Sequence, residues 1–209
     1  MKNKHYSEAT RKRQIMLAAD LVLLEQGIEN FTIDQVVAKA DIAKGTVYKY
    51  YKNKDDLLLE LSIKALNIML DIFEEAASKG ETATEKVRNV CKSCYRFYTE
   101  YNEYFKLVTV IDRPEFKVDI DDYANASYKV QHMYENIIRE GQKTGEFSKA
   151  YNPSYVQYIG WACSVGVVQF MDSKKKLLKN AKDVDMDEFI DTYANIISGG
   201  LQNCPPAST

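Results

Sequence analysis

Hydrophobic residues recur along most of this chain at the spacing of amphipathic helices. The first stripe consists of Ile15, Ala18, Ala19, Val22 and Leu23, which lie three or four positions apart on one helical face. Gly27 offers a stop to that helix. Similar stripes predict helices over about 53–80, 84–100, 101–112, 119–141, 153–171 and 185–201. Neither an alternating strand pattern longer than a few residues nor an internal repeat is present, so the predicted fold class is all-α.

Residues 32–54 carry the most specific pattern in the chain. Thr32 and Gln35 have the spacing of a capping box, in which each side chain bonds the other residue's free backbone N–H. Residues 40–42 break the apolar pattern, and residues 44–51 restart it with Val47 and Tyr51 pointing inward. A helix of about eight residues is roughly 12 Å long, a length that the DNA major groove accepts. The segment therefore predicts a helix-turn-helix.

Charge is concentrated on this segment. The whole chain of 209 residues has a net charge of −2, yet residues 39–54 contain five lysines and a single acid, Asp41. The outward positions of the third predicted helix are Lys44, Gly45, Tyr48 and Lys49. A small basic surface on a mildly acidic protein fits a nucleic-acid contact confined to one face. The alternative is a helical hairpin that only packs, with solvated lysines, but an aromatic residue exposed beside the charges favours DNA.

The string from Thr32 to Lys54, with Lys-Gly-Thr-Val-Tyr at 44–48 and a helix ahead of it, closely resembles the DNA-binding head of the TetR family of transcriptional regulators. The close match covers about residues 10–60, and the remainder is similar only in the number and layout of its helices. The resemblance implies an N-terminal three-helix helix-turn-helix head, residues 1–53, and a C-terminal helical ligand-binding and dimerisation bundle, residues 54–209. It also implies a homodimer formed through the last two helices, which reads a pseudo-palindromic operator in double-stranded DNA.

The family's DNA contacts carry over to individual positions of this chain. By this resemblance, the contacts to phosphate or groove are Thr32, Lys44, Thr46, Tyr48, Tyr50 and Lys54. The residues that face base edges are Gly45 and Lys49. One position departs from the pattern: Ala43 stands where the family usually has a hydroxyl residue that caps the recognition helix, and alanine is a poorer N-cap by about 1 kcal/mol. Arg11, Lys12 and Arg13 either contact the DNA backbone or only add solubility.

The body is rich in aromatic residues, which can line an apolar pocket and supply a few polar groups. We predict that an apolar or aromatic small-molecule effector binds near Tyr98, Tyr128, His132 and Trp161, although His132 also fits a hydrogen-bonded core position. The helix over 153–171 is apolar almost all round and must be buried. Its small residues, from Gly160 to Gly166, favour close helix approach, which also fits a central helix of a monomer. The resemblance to the TetR family implies a four-helix dimer interface formed with the last helix.

The remaining candidate chemistry is sparse. Cys91 and Cys94 are spaced like half a metal site or a redox pair, but a zinc site needs two further ligands, and small core residues explain the pair equally well. No catalytic acid–base constellation, phosphate-binding glycine loop or set of metal ligands is recognisable, so we expect neither an enzyme nor a bound cofactor. The longest apolar run is about ten residues, too short to span a bilayer, and no secretory leader is recognisable, so we expect a cytoplasmic protein.

These observations leave three classes of function. The leading prediction is a ligand-responsive DNA-binding transcriptional regulator, expected to be a repressor released from its operator by a small molecule. The second is a helical enzyme or carrier whose active site lies in the apolar body. The third is a co-regulator that binds a protein partner in place of a small molecule.

Overall fold

The computed structural model describes residues 7–111, 113–116, 121–174 and 185–202. Across these residues the regular elements are helices, apart from one isolated bridge between Phe147 and Gln202. The helices are α1 (Glu8–Asn30), α2 (Ile33–Ala40), α3 (Lys44–Tyr48), α4 (Lys54–Ser78), α5 (Ala83–Glu100), α6 (Asn102–Val108), α7 (Asp121–Thr144), α8 (Pro153–Ser173) and α9 (Met186–Gly200). The predicted all-α fold is confirmed.

The chain divides into two compact units. The first comprises Met1–Ala65 and Asn102–Ala124, and the second comprises Leu66–Tyr101 and Asn125–Thr209. The expected boundary between residues 53 and 54 falls at the start of α4 and does not coincide with these units, because the units divide within α4, between Ala65 and Leu66, and α6 packs on α1. As a division between functions, 1–53 and 54–209 remains a prediction.

The first unit forms around the predicted stripe of α1. Its five residues, Ile15 to Leu23, are all buried. Gly27 adopts φ 74°, which interrupts the helical geometry before α1 ends at Asn30. That positive φ suits glycine, since residues with a Cβ rarely adopt it. Phe31 and Val36 are both buried on either side of the Thr32 cap.

The second unit contains α5, α8 and α9, with α9 packed along α5. α5 begins at Ala83, one residue before the predicted start, because Thr82 and Glu85 form a second capping box. Glu146 also accepts hydrogen bonds from the backbone N–H groups of Ala83 (3.1 Å) and Thr84 (3.0 Å). These bonds satisfy donors that the first turn of every helix leaves open.

Several predicted helix ends differ from the structure. α6 ends at Val108, before the predicted 112, and position 112 lies outside the described residues. α7 continues to Thr144, beyond the predicted end at 141, and Gly145, with a φ of 88°, makes the turn that follows. Between the predicted helices over 153–171 and 185–201 the structure describes residues 172–174, and residues 203–209 lie outside the described part of the chain.

The last helix carries apolar residues on both sides. Ile196 is 66% exposed, whereas Ile190, Tyr193 and Ala194 are buried. Among the helices in the described ranges, none combines the length and hydropathy that a membrane crossing requires.

Candidate nucleic-acid interface

α3 is held against the first unit by its two inward residues. Val47 is fully buried, and Tyr51, just beyond the helix, is also buried. The hydroxyl of Tyr51 donates a hydrogen bond to Glu60 on α4 over 2.7 Å. Burial and this bond raise the pKa of Tyr51 well above its ordinary value. The hydroxyl therefore stays protonated and fastens the end of the α3 segment to α4.

The α3 helix is shorter than the predicted span of 44–51. It ends at Tyr48, and Lys49 and Tyr50 form a turn in which the Tyr50 N–H bonds the Val47 carbonyl over 3.0 Å. Ahead of α3, Asp41 adopts the left-handed conformation (φ 51°) and makes the sharp turn after α2. Ala43 is the N-cap of α3 and supplies no side-chain hydrogen bond, as expected of alanine.

Four residues of α3 and the turn that follows it are exposed, namely Lys44, Gly45, Tyr48 and Lys49. Their grouping is the one that the sequence predicts. A Cβ built on Gly45 meets no atom within 4 Å, and Gly45 has no left-handed φ. The packing of the chain itself therefore does not require glycine at this position. Because Gly45 has no side chain, nothing projects from the backbone into the open space there.

The cations of this surface are not equivalent. The ammonium group of Lys44 lies 2.6 Å from the carboxylate of Asp34, and that hydrogen bond raises the pKa of Lys44. Within the described residues, Lys49, Lys52 and Lys54 form no ion pair. Lys49 instead lies 5.7 Å from the centre of the Tyr50 ring. Three cations are thus available to an incoming anion without breaking an internal ion pair.

The other predicted contacts lie around this surface. Thr32 is exposed, and its hydroxyl donates to Gln35 over 2.8 Å while also accepting the Gln35 N–H. Thr46, Tyr50 and Lys54 are half-buried. Lys54 opens α4, where Asn53 accepts the Asp56 N–H over 3.0 Å and Asp56 accepts the Lys52 N–H over 2.7 Å. These caps fix the backbone on which Lys54 stands.

The four residues predicted to line an effector pocket lie on three helices, Tyr98 on α5, Tyr128 and His132 on α7, and Trp161 on α8. Tyr128 is 62% exposed, and its ring lies 5.6 Å from that of His132, one turn along α7. His132 is also exposed, so its interpretation as a core residue was wrong. Tyr98 is half-buried and donates to Asp172 over 2.5 Å, and Trp161 is half-buried on α8. An open groove of about 840 Å³ in the second unit lies between α5 and α9, and none of the four lines it.

Sequence reasoning missed a group of buried polar atoms in the second unit. The Tyr134 hydroxyl and the Gln157 Oε1 atom are buried without a hydrogen-bond partner among the described residues. A Cβ on Gly160 would stand 3.2 Å from the Tyr134 hydroxyl, so that glycine admits the tyrosine. Nearby, Ser164 and Tyr193 share a hydrogen bond of 2.6 Å. The sequence offered only the small residues of α8 as a signal, and these were assigned to helix packing.

Sequence reasoning also missed a polar cluster in the first unit. Asp20 on α1 accepts hydrogen bonds from Lys64 on α4, over 2.6 Å, and from the hydroxyl of Tyr104 on α6. Burial and the bond to Asp20 raise the pKa of Tyr104 to about 12. The cluster links α6 to α1 and α4, the helices that precede and follow the helix-turn-helix. No local signal links positions so far apart in the chain.

The two cysteines singled out in the sequence are core residues. Cys91 and Cys94 are buried on α5, and burial raises the pKa of Cys91 to about 11 and that of Cys94 to about 12. The described residues contain no cluster of three or more potential metal ligands. The thiols are protonated near neutral pH, and a protonated thiol is a poor nucleophile and metal ligand.

Comparison with known proteins gives this surface its context. Residues 15–61 match the profile of bacterial regulatory proteins of the tetR family. A fatty acid metabolism regulator protein from Bacillus subtilis (strain 168) is 26% identical over 138 residues, which are 65% of this chain and 70% of that protein. An uncharacterised HTH-type transcriptional regulator from Haemophilus influenzae is 26% identical over 87 residues, less than half of either chain.

Solved structures match over nearly the full length. A protein of unknown function from Rhodococcus sp. RHA1 has a TM-score of 0.77 at 15% identity and covers 97% of this chain and 100% of that one. The transcriptional regulator FadR from Bacillus subtilis, in complex with stearoyl-CoA, has a TM-score of 0.69 at 19% identity and covers 91% of this chain and 100% of that one. At these identities the likeness concerns the fold.

The exposed α3 surface, the capped α2 and the matched residues 15–61 define a helix-turn-helix transcriptional regulator. Residues 15–61 are similar to the DNA-binding part of TetR family regulators, and the described helices share the fold of a solved TetR family regulator. The matched residues are typical of a DNA-binding regulator, and the named relatives are regulators as well.

Proposed function

We propose that this chain is a repressor that holds its operator as a homodimer and leaves it when a long-chain acyl-CoA binds the second unit. The observation that carries the DNA-binding part is the outward group of Lys44, Gly45, Tyr48 and Lys49 on a helix anchored from behind by Val47. The effector class is supported by the Bacillus subtilis fatty acid metabolism regulator and by the FadR complex with stearoyl-CoA.

In the proposed contact with DNA, α3 enters the major groove. Tyr48 and Lys54 contact phosphates, and so do Thr32, Thr46 and Tyr50, while Lys49 reaches base edges. Lys44 exchanges Asp34 for a phosphate. Phosphate contacts set the register of the protein on the duplex, and contacts to base edges supply sequence information. Gly45 lets the helix approach closely, because a Cβ there would project into the groove.

A second copy is needed because one short helix offers few base contacts, and a dimer can read two half-sites about 34 Å apart. The proposed interface is the outer side of α8 and α9. Ile159 is 60% exposed and Tyr155, Phe170 and Ile196 are exposed as well, although apolar surface of this extent is normally covered. Gly160 and Ser164 face the chain's own interior, so only Ala162 and Gly166 remain as small residues on the outer side.

The acyl-CoA hypothesis has physical support in the second unit. Its interior is apolar but contains the partnerless Tyr134 hydroxyl and Gln157 Oε1. Buried polar groups without partners are costly, and a thioester or similar polar group of a ligand would satisfy them. The predicted pocket residues Tyr98, Tyr128, His132 and Trp161 remain candidates for the rim of this site. The effector needs different affinities for the DNA-bound and free conformations, and α4 and α7 are the helices shared by both units that can transmit the difference.

The direct experiment is a gel shift of the full chain on DNA fragments selected from a random library, with stearoyl-CoA as the probe effector. We expect a discrete complex whose mobility corresponds to two chains and whose affinity falls at least tenfold at saturating stearoyl-CoA. Free coenzyme A is the matched control and should leave the complex unchanged. An unchanged complex with both additives would contradict the effector class while leaving DNA binding intact.

A variant separates dimerisation from folding. Ile159→Asp places a charge on the proposed interface, whereas Leu58→Asp would place a charge at a fully buried position of α4 and serves only as a folding control. We expect Ile159→Asp to sediment as a single chain of 24.0 kDa with an unchanged helical content. A variant that stays dimeric would show that another surface joins the two copies.

A further inference from the structure

Two hydrogen-bonding groups in the interior of the second unit have no partner among the described residues. They are the hydroxyl of Tyr134 on α7 and the side-chain oxygen of Gln157 on α8. Each of these residues has only 8% of its surface exposed. Folded proteins rarely leave buried polar atoms unpaired, so a partner from outside the chain is the expected complement of both groups.

The two groups lie along the same buried side of α8. Gly160 follows Gln157 by three residues, and both positions are buried. A Cβ on Gly160 would stand 3.2 Å from the Tyr134 hydroxyl. Three residues advance a helix by about 4.5 Å along its axis, and residues at this spacing share a face. A ligand segment of a few bonds can therefore contact both groups at once.

The surroundings of the Tyr134 hydroxyl are neutral. Burial, together with the neighbouring groups of Cys91 and Tyr193, raises the pKa of Tyr134 well above its ordinary value. The hydroxyl therefore keeps its proton and remains a donor. The adjacent Cys91 thiol is only a weak acceptor, and the Tyr193 hydroxyl already shares a hydrogen bond of 2.6 Å with Ser164. None of these neighbours is a cation, so the site offers hydrogen bonds without a counter-charge.

An acyl-CoA carries a matching pair of groups where its acyl chain joins its pantetheine arm. The thioester carbonyl is an uncharged acceptor. A two-carbon spacer separates the thioester sulfur from the first amide N–H of the arm, which is a donor. A hydroxyl that lacks an acceptor and an amide oxygen that lacks a donor are the complement of this pair. A free fatty acid ends instead in a carboxylate, which is costly to bury where no cation compensates it.

We propose that Tyr134 and Gln157 recognise this junction of the effector. The Tyr134 hydroxyl donates to the thioester carbonyl, and the Gln157 Oε1 atom accepts the amide N–H. The two residues thereby determine specificity for an acyl thioester over the free fatty acid. These roles rest on the proposed acyl-CoA effector and assign the atoms of it that are bound inside the second unit.

A pair of effectors that differ only at the carbonyl tests the role of Tyr134. Octadecyl-CoA is the thioether analogue of stearoyl-CoA, with a methylene group in place of the carbonyl. By calorimetry on the full chain, we expect the thioester to bind about tenfold more tightly, the value of one buried hydrogen bond. Tyr134→Phe should abolish this preference by weakening thioester binding alone. Tyr193→Phe, which removes a buried hydroxyl that already has a partner, is the matched control and should keep the preference. A preference that survives in Tyr134→Phe would overturn its role.

A second pair of probes tests Gln157. S-stearoyl-N-acetylcysteamine retains the thioester, the spacer and the amide but has no nucleotide, and S-butyl thiostearate lacks the amide. We expect the unsubstituted chain to prefer the first compound by about tenfold. Gln157→Met, which is similar in length but apolar, should bind both compounds alike. Equal binding of the two compounds by the unsubstituted chain would overturn the role of Gln157.

The stability of the ligand-free chain separates recognition from a structural role. Removal of an unpaired buried hydroxyl removes a desolvation penalty, so Tyr134→Phe should melt at or above the temperature of the unsubstituted chain. Tyr193→Phe should melt below it, because Ser164 then loses its partner. A lowered melting temperature for Tyr134→Phe would show that its hydroxyl supports the fold, against the proposed role.

Stearate distinguishes failure of these roles from failure of the proposed effector. Tight binding of stearoyl-CoA with no preference over octadecyl-CoA would overturn the role of Tyr134 and leave the effector class intact. Arg88 on α5 also has a buried Nε atom without a partner among the described residues. If stearate binds as tightly as stearoyl-CoA, and Arg88→Gln abolishes this binding, a carboxylate is the bound group and the roles of Tyr134 and Gln157 are wrong. Absence of any binding by stearoyl-CoA would overturn the effector class together with both roles.

Discussion

In the free protein, Asp34 holds the ammonium group of Lys44 at 2.6 Å, on the surface that is proposed to meet DNA. Both side chains are largely exposed, so solvent screens the pair and it contributes little to stability. The pair does affect DNA binding. A DNA phosphate must displace the Asp34 carboxylate to reach Lys44, and the carboxylate repels the approaching phosphate backbone.

Asp34→Asn should therefore strengthen DNA binding a few-fold on specific and random duplexes alike. The substitution removes one negative charge from the interface and frees Lys44, and the helix loses only the small benefit of an acid in its first turn. Fluorescence anisotropy with labelled duplexes measures the change. An affinity that is equal to or weaker than that of the unsubstituted chain would show that Asp34 helps to position Lys44.

Lys49→Ala and Lys54→Ala should impair DNA binding in different ways. Loss of a lysine that contacts a base costs about 1–3 kcal/mol of discrimination, so Lys49→Ala should lower the ratio of specific to random affinity about tenfold. Lys54→Ala should weaken both affinities equally and reduce the salt slope by about one. Competition binding at several salt concentrations separates these effects, and equal losses from both variants would refute the assigned roles.

Gly45→Ala should lower operator affinity without lowering stability. A Cβ at this position meets no atom of the chain within 4 Å, and alanine favours a helix over glycine by about 1 kcal/mol. The methyl group would instead occupy space reserved for DNA. Thermal melts and anisotropy on the same samples give both quantities, and unchanged operator affinity for Gly45→Ala would argue against close approach at this position.

Thiol reactivity should follow burial. Because the pKa of Cys91 is raised to about 11 and that of Cys94 to about 12, neither forms much thiolate at pH 8, while Cys163 is half-buried. The folded state favours the neutral thiol at both positions, so each pKa is higher in the folded chain than in the unfolded chain. The stabilisation of the folded state that this difference gives is lost as the pH rises through those values. Timed iodoacetamide labelling followed by peptide mass spectrometry should find Cys163 modified before Cys91 and Cys94. Rapid labelling of Cys94 would instead favour the interpretation of Cys91 and Cys94 as a redox pair.

Local signals account for most of what the sequence predicts correctly. The Thr32–Gln35 capping box, the buried stripe of α1 and the outward group around Tyr48 depend on neighbours within one or two turns. The end of α3 was predicted too late because Tyr51 is buried, and burial alone does not distinguish a helix from the turn that follows it.

The interior of the second unit could not be predicted in the same way. Tyr134 and Gln157 belong to different helices, and their lack of hydrogen-bond partners depends on how α7 and α8 pack. Tyr128 and His132 looked equally suitable from their residue types, yet both are exposed. Residue type suggests which side chains could bind an effector, but the helix rotation that decides the matter is set by contacts distant in sequence.

The salt dependence of DNA binding tests the central claim most directly. Affinity of the full chain for a selected duplex and for a random one should be measured by anisotropy between about 50 and 200 mM salt. We predict that log affinity falls linearly with log salt for both duplexes, as expected when several lysines replace counterions, and that the selected duplex remains preferred. Absence of salt-sensitive binding to either duplex, in the apo protein and with stearoyl-CoA, would contradict the account.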